Sequence, residues 1–200
     1  MRRSMPLLII LGLVVILLFW GCGSYNGLVQ QDETVKNAWS KVQSDYQRRA
    51  DLIPNLVATV KGAANFEKET YTQVALARSG QLRQAVNVPV DSLSPQKMQQ
   101  IQQASDQALN AARMAINIAV ERYPDLKATK NFSDLQTQIE GTENRIKNSR
   151  NDYNDAVRNY NVKVRSFPLN LFASMTGFKM RQEFQSAPGS ENAPKVDFGG

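Results

Sequence analysis

Glu140 and Glu143 stand one helical turn apart, and Glu67 and Glu69 two residues apart, so both pairs invite an acid–base reading. Neither sustains it. Residues two apart on a helix point in different directions, which separates Glu67 from Glu69. Glu140 and Glu143 share one surface, whereas glycoside hydrolysis needs two carboxylates facing each other across a cleft. The chain has no histidine, which removes the commonest general base and the commonest metal ligand. Carboxylate-bridged di-iron sites need Glu-x-x-His and go with it. Cys22 is the single cysteine, so neither a Cys/His zinc site nor an internal disulfide is available. Lys61-Gly62 lacks the glycine-rich run that precedes a phosphate-loop lysine. The expectation is a protein that is no enzyme: no catalytic residue, no cofactor and no metal.

Other polar residues fall on stripes that should be buried. They are Asp32, Arg49 and Glu67 on a first helix and Arg150 on a third, with Glu143 flanking. One reading is a set of cross-helix pairs that fix register, because an unpaired buried charge is strongly unfavourable. The other is a site for a small ligand or ion inside the bundle. Pairing is the preferred reading. Tyr153-Asn154 and Tyr160-Asn161 are a heptad apart, so the two tyrosines share a face. Core packing with hydrogen-bonded hydroxyls is expected there. The alternative is a groove for a partner, which keeps Asn154 and Asn161 as candidate binding residues.

The elements that must position these residues follow from apolar spacing. Leu28, Val35, Trp39, Val42, Tyr46, Ile53, Leu56 and Val60 recur at helical steps, and the stripe stays in phase past Val74 to about Arg78. The spacing predicts one helix over 25–78, more than about 75 Å long if straight, bent at Pro54 and stopped by Ser79-Gly80. Residues 81–94 read as a linker. Ser94-Pro95 then caps a second helix whose face is Met98, Ile101, Ser105, Leu109, Ala112, Ile116, Ala119 and Tyr123. Pro124 ends it. Asn131, with Asp134 three residues on, reads as the cap of a third helix facing inward through Phe132, Ile139, Thr142, Ile146, Tyr153, Val157, Tyr160, Val164 and Phe167. A short fourth helix is expected from Leu169 to Met175, stopped by Gly177. No segment of strand period survives. The expected fold is all-α: an antiparallel up-down bundle of three long helices plus a short fourth over 25–185, with a flexible tail over 186–200.

Residues 1–24 are expected to be a membrane anchor. No charge occurs between Arg3 and Asp32, and Leu7 to Trp20 are almost uninterrupted by polarity. The apolar run just reaches the roughly 20 residues that a bilayer-spanning helix needs. Basic residues before it and acids after it predict a cytoplasmic N-terminus, with the bundle on the outer face. A lipoprotein-type signal with lipidation of Cys22 is the runner-up, and a cleaved signal peptide the third reading; all three put the bundle on the same side. The net charge of +6 is spread along helices with acids interleaved and forms no basic run, so nucleic-acid binding is not expected.

Several segments together resemble the LemA family. They are Tyr25-Asn26-Gly27-Leu28-Val29; Arg48-Arg49-Ala50-Asp51-Leu52-Ile53-Pro54-Asn55-Leu56-Val57; Thr59-Val60-Lys61-Gly62; and Glu140-Gly141-Thr142-Glu143-Asn144-Arg145-Ile146. Arg150, the two Tyr-Asn pairs and Phe167-Pro168 add to them, and the similarity spans residues 20–185. The resemblance implies an anchored, mostly helical protein of the bacterial inner membrane without established catalysis. It further implies other membrane or envelope proteins as partners, a membrane metalloprotease among them, in quality control or membrane organisation. Oligomeric state is not legible. The Phe19-Trp20-Gly21-Cys22-Gly23 end of the apolar segment departs from the pattern and leaves the anchor type open.

Overall fold

The computed structural model describes residues 5–64 and 70–185, with side chains over 23–62 and from 70 onward, and Gly12. Leu28, Val35, Trp39, Val42, Tyr46, Ile53, Leu56 and Val60 are all buried, and their stripe belongs to one helix, α1 (Met5–Ala64). Pro54 lies inside it and supplies no N–H to the Ala50 carbonyl, yet the backbone is helical on both sides.

Next comes α2 (Thr70–Val86), which runs back along α1. Gln43 donates from Nε2 to the Val86 and Val88 carbonyls at 2.9 and 3.2 Å, Trp39 Nε1 donates to the Val88 carbonyl at 2.8 Å, and Asp51 pairs with Arg83. This corrects the expected single helix over 25–78 and the linker over 81–94, because Ser79 and Gly80 lie inside α2. The buried face of α2 is Thr72, Ala75, Ser79, Leu82 and Val86, small residues for the most part with little apolar signal. Val74, which carried the stripe forward in phase, is exposed.

The cap on α3 (Pro95–Arg122) is Ser94, whose Oγ accepts from the Lys97 N–H at 3.2 Å, with Pro95 at the first helical position. Met98, Ile101, Ser105, Leu109, Ala112, Ile116 and Ala119 are buried, whereas Tyr123 is exposed. A 3-10 turn (Pro124–Ala128) leads to α4 (Lys130–Arg165). Asn131 is inside the first turn of α4 and is not its cap; that position is held by Thr129, whose hydroxyl donates instead to the Leu126 carbonyl. Then α5 (Leu169–Thr176) ends at Gly177, whose φ of +83° lets the Phe178 N–H turn back to the Ala173 carbonyl.

Among the described residues the fold is therefore an all-α bundle of four helices and a short fifth, not three and a short fourth, with no strand. Along α1 pack α2 and α4. The pairs Lys41–Asp152 and Arg49–Thr142 show α4 antiparallel to α1. α3 packs mainly on α2, and α3 and α4 approach each other much less closely. Among the described residues no helical stretch is long and apolar enough to cross a membrane. Within the expected anchor the side chains over 1–22, Cys22 included and Gly12 apart, lie outside the described residues, as do Glu67 and the tail over 186–200.

Candidate functional site

One face of α4 carries Tyr153, Asn154, Tyr160 and Asn161 against the extended segment that follows Gly177. Asn161 Oδ1 accepts from the Arg181 N–H at 2.9 Å, and its Nδ2 donates to the Arg181 carbonyl at 2.8 Å. Asn154 repeats the arrangement on Phe184, at 2.8 and 3.0 Å. The hydroxyls of Tyr160 and Tyr153 donate to the Lys179 and Gln182 carbonyls, each at 3.0 Å. Seven helical residues rise about 10.5 Å, and three extended residues span about 10 Å. A heptad on α4 thus keeps step with three residues of the segment, which runs antiparallel to it. Each carboxamide stands where a neighbouring strand would, offering one acceptor and one donor. Burial pushes the Tyr153 and Tyr160 hydroxyls above the ordinary tyrosine value, so both remain donors at neutral pH. Phe184 closes the far end, stacked on Trp39 with centroids 6.2 Å apart and edge-on to Tyr153 at 5.6 Å.

At the other end, Arg181 donates to Asp32 of α1 through Nε and NH2, at 3.1 and 2.5 Å, and reaches Asp91 at 2.8 Å. Lys36 adds a contact to Asp32 at 3.0 Å. The Asp32 and Arg181 side chains are each only 12% exposed. Burial alone would raise the Asp32 carboxyl; the hydrogen bonds and charges of Arg181 and Lys36 outweigh it and hold the group below its ordinary value. A cleft of about 600 Å³ opens beside this cluster, between Asp32, Asp91, Tyr160 and the 176–182 segment.

Arg49 spans the gap between α3 and α4. Its Nε donates to Thr142 Oγ1 on α4 at 2.9 Å, and its NH1 donates to Ser105 Oγ on α3 at 2.7 Å. Burial pushes the guanidinium below its ordinary value, against the pull of the nearby Glu143 charge. Glu143 itself pairs with the exposed Arg113 at 2.9 Å. A cavity of about 260 Å³ adjoins Arg49 and is also lined by Tyr46, Ser105, Asp106, Glu143 and Arg150. The Nε of Arg150 is buried without a hydrogen-bond partner, while its guanidinium carbon lies 4.8 Å from the centre of the Phe184 ring. Among the described residues no three His, Cys, Asp or Glu gather closely enough to hold a metal ion.

The structure thus brings Arg49 and Arg150 to one cavity with Glu143 at its edge, and joins Asn154 and Asn161 in one clamp. Sequence reasoning missed Arg181 and Asp91, which lie in non-periodic segments. The Tyr-Asn repeat was the one signal that pointed towards Arg181, and nothing pointed to Asp91.

A sequence model of the LemA family matches residues 38–198, most of the chain and all of α2 to α5. The chain belongs to the LemA family. It is 29% identical over 151 residues to Protein LemA of Metamycoplasma hominis, covering 76% of this chain and 64% of that protein. Magnetosome protein MamQ 2 of Paramagnetospirillum magneticum is 26% identical over 181 residues, covering 84% of this chain and 66% of its own length. Magnetosome protein MamQ of Magnetospirillum gryphiswaldense is 24% identical over the same span, again with 66% of its length covered. The chain therefore spans just under two thirds of the length of these relatives. Arg49, the α4 clamp and the segment it holds all fall inside the LemA-family match.

Proposed function

We propose that this LemA-family protein is a membrane-tethered, non-enzymatic scaffold that holds a rigid helical bundle at the outer face of the bacterial inner membrane for other envelope proteins to dock on. The observation that carries it is the continuity of α1: one helix runs from Met5 to Ala64, so the apolar run at its start and the core stripe of the bundle belong to one uninterrupted helix. A bundle joined to its anchor without a flexible linker has a fixed height and orientation, as a scaffold requires. The internal polar groups support the same reading, since Arg49, Asp32, Asn154 and Asn161 all hold one element of the bundle to another. In-cell crosslinking of the full chain followed by mass spectrometry is the test, with protease accessibility of spheroplasts reporting the side on which the bundle lies. Recurrent capture of one set of envelope proteins is expected. Repeated crosslinking that recovers none of them, or a bundle protected from external protease, contradicts the proposal.

A second reading, an envelope sensor, is favoured by the unpartnered Nε of Arg150 beside the 260 Å³ cavity. A small anion seated between Arg49 and Arg150 would raise the melting temperature of the full chain. A screen of small anions and metabolites that leaves melting unmoved retires this reading.

A further inference from the structure

Among the described residues nothing covers the outer face of α5. Leu169 and Ala173 pack against the bundle, yet Leu171 and Met175, on the opposite side of the same helix, are 57% and 85% exposed, and Phe167 just before it is 81% exposed. Leu171 and Met175 stand at i and i+4 on one apolar strip of α5, and Phe167 lies in the turn that leads into it. The eight residues of α5 carry no charge. A helix apolar on both faces belongs between two apolar phases, and the described residues supply only one.

Position and charge name the second phase. Phe178, just past α5, meets Tyr25 of α1 edge-on with centroids 5.8 Å apart. Tyr25 is three residues beyond Cys22, where the apolar run ends, and three helical residues rise only about 4.5 Å. The exposed stripe therefore lies at the anchor end of the bundle. From residue 156 to residue 182 the chain has no acid and five basic residues; Arg158 and Arg181 are taken up in ion pairs with acids outside that stretch, while the exposed Arg165 and Lys179 stand on either side of α5. An uncharged apolar helix flanked by exposed basic residues matches the acyl boundary and the anionic headgroups of a bilayer surface.

We infer that α5, with Phe167, is a second membrane contact: it lies in the lipid interface beside the anchor, so that the bundle stands on two supports instead of one. This rests on the tethered reading above. The test uses the full chain in vesicles of phosphatidylcholine and phosphatidylglycerol, with photoreactive benzoylphenylalanine in place of Phe167, Leu171, Met175, Gly12 or Thr137, one at a time. Lipid adducts, read by mass spectrometry, are expected at Gly12 in the anchor and at all three α5 positions, and not at Thr137 near the far end of α4. Adducts at Gly12 with none at Leu171 and Met175 overturn the second contact and leave the tether standing. No adduct at any position, Gly12 included, overturns both. Chain-to-chain adducts at Leu171 and Met175 in place of lipid show that a second copy covers the stripe, and also overturn the inference. A folding check by circular dichroism accompanies each variant, and since the substituted side chains are exposed the fold is expected to be kept.

Discussion

Asn154 holds Phe184 by both of its backbone polar groups, accepting from the N–H at 2.8 Å and donating to the carbonyl at 3.0 Å. The same pair of hydrogen bonds recurs one heptad on, between Asn161 and Arg181. Alanine at either position strands two backbone groups of the docked segment, at a cost of about 1–3 kcal/mol. Asn161→Asp is the sharper variant. It keeps the acceptor for the Arg181 N–H but turns a carboxylate oxygen on the Arg181 carbonyl, so it should destabilise about as much as Asn161→Ala. Urea unfolding reads the stability, and trypsin cleavage after Lys179 or Arg181 should quicken as the segment lifts. Cleavage at the unaltered rate would show that the clamp does not hold the segment in solution.

Arg49 offers a test of a bridge that contains no carboxylate. Ser105→Ala or Thr142→Val leaves a guanidinium donor buried and unanswered, which costs about 1–3 kcal/mol. Arg49→Met removes that donor, so its own cost should shrink when Thr142 is already valine. The expected coupling in the double-mutant cycle is about 0.5–3 kcal/mol. Additive losses would mean that the two side chains do not interact.

Much of this architecture was legible beforehand, for specific reasons. Ser94-Pro95 announces a helix start through its chemistry, and Met98 to Ala119 and Phe132 to Val164 declare their buried faces because large apolar residues recur at helical steps. The α1–α2 reversal was not legible. Periodicity reports which face is apolar but not whether the helix continues, and the small residues Thr72, Ala75 and Ser79 gave α2 no voice of its own. Arg49 was marked by its burial, but hydroxyl partners on Ser105 and Thr142 carry no charge signal for sequence reasoning to match. Arg181 was hidden for the same kind of reason: an extended segment held through its backbone has no side-chain pattern to read.

Asp32 should give the bundle an acid-sensitive component. Its folded value is held below that of the unfolded chain by Arg181 and Lys36, against the effect of burial. A carboxylate depressed in the folded state contributes stability that is fully present above the unfolded value of about 3.9, and loses it as pH falls through the folded value. Unfolding free energy should therefore drop below about pH 4, and Asp32→Asn should flatten that drop while lowering stability at neutral pH. Parallel pH profiles for the two proteins would remove Asp32 from the account.

Glycine-to-alanine substitutions at two positions should act in opposite directions. Gly141 lies inside α4, and nothing stands within 4 Å of its missing Cβ. Alanine there restricts the unfolded chain and clashes with nothing, so Gly141→Ala should stabilise by about 0.5–1 kcal/mol. Gly177 also has open space around it, but its φ of +83° is one that an L side chain resists, so Gly177→Ala should destabilise by about 1–2 kcal/mol. Thermal melting of the two variants checks both signs. Gly141 sits between Glu140 and Thr142 with no packing demand of the fold upon it. If Gly141→Ala melts higher yet loses crosslinks to envelope proteins in cells, the face of α4 around residue 141 is where a docked partner approaches the helix backbone. Crosslinks kept in full by the stabilised variant move that docking surface elsewhere on the bundle.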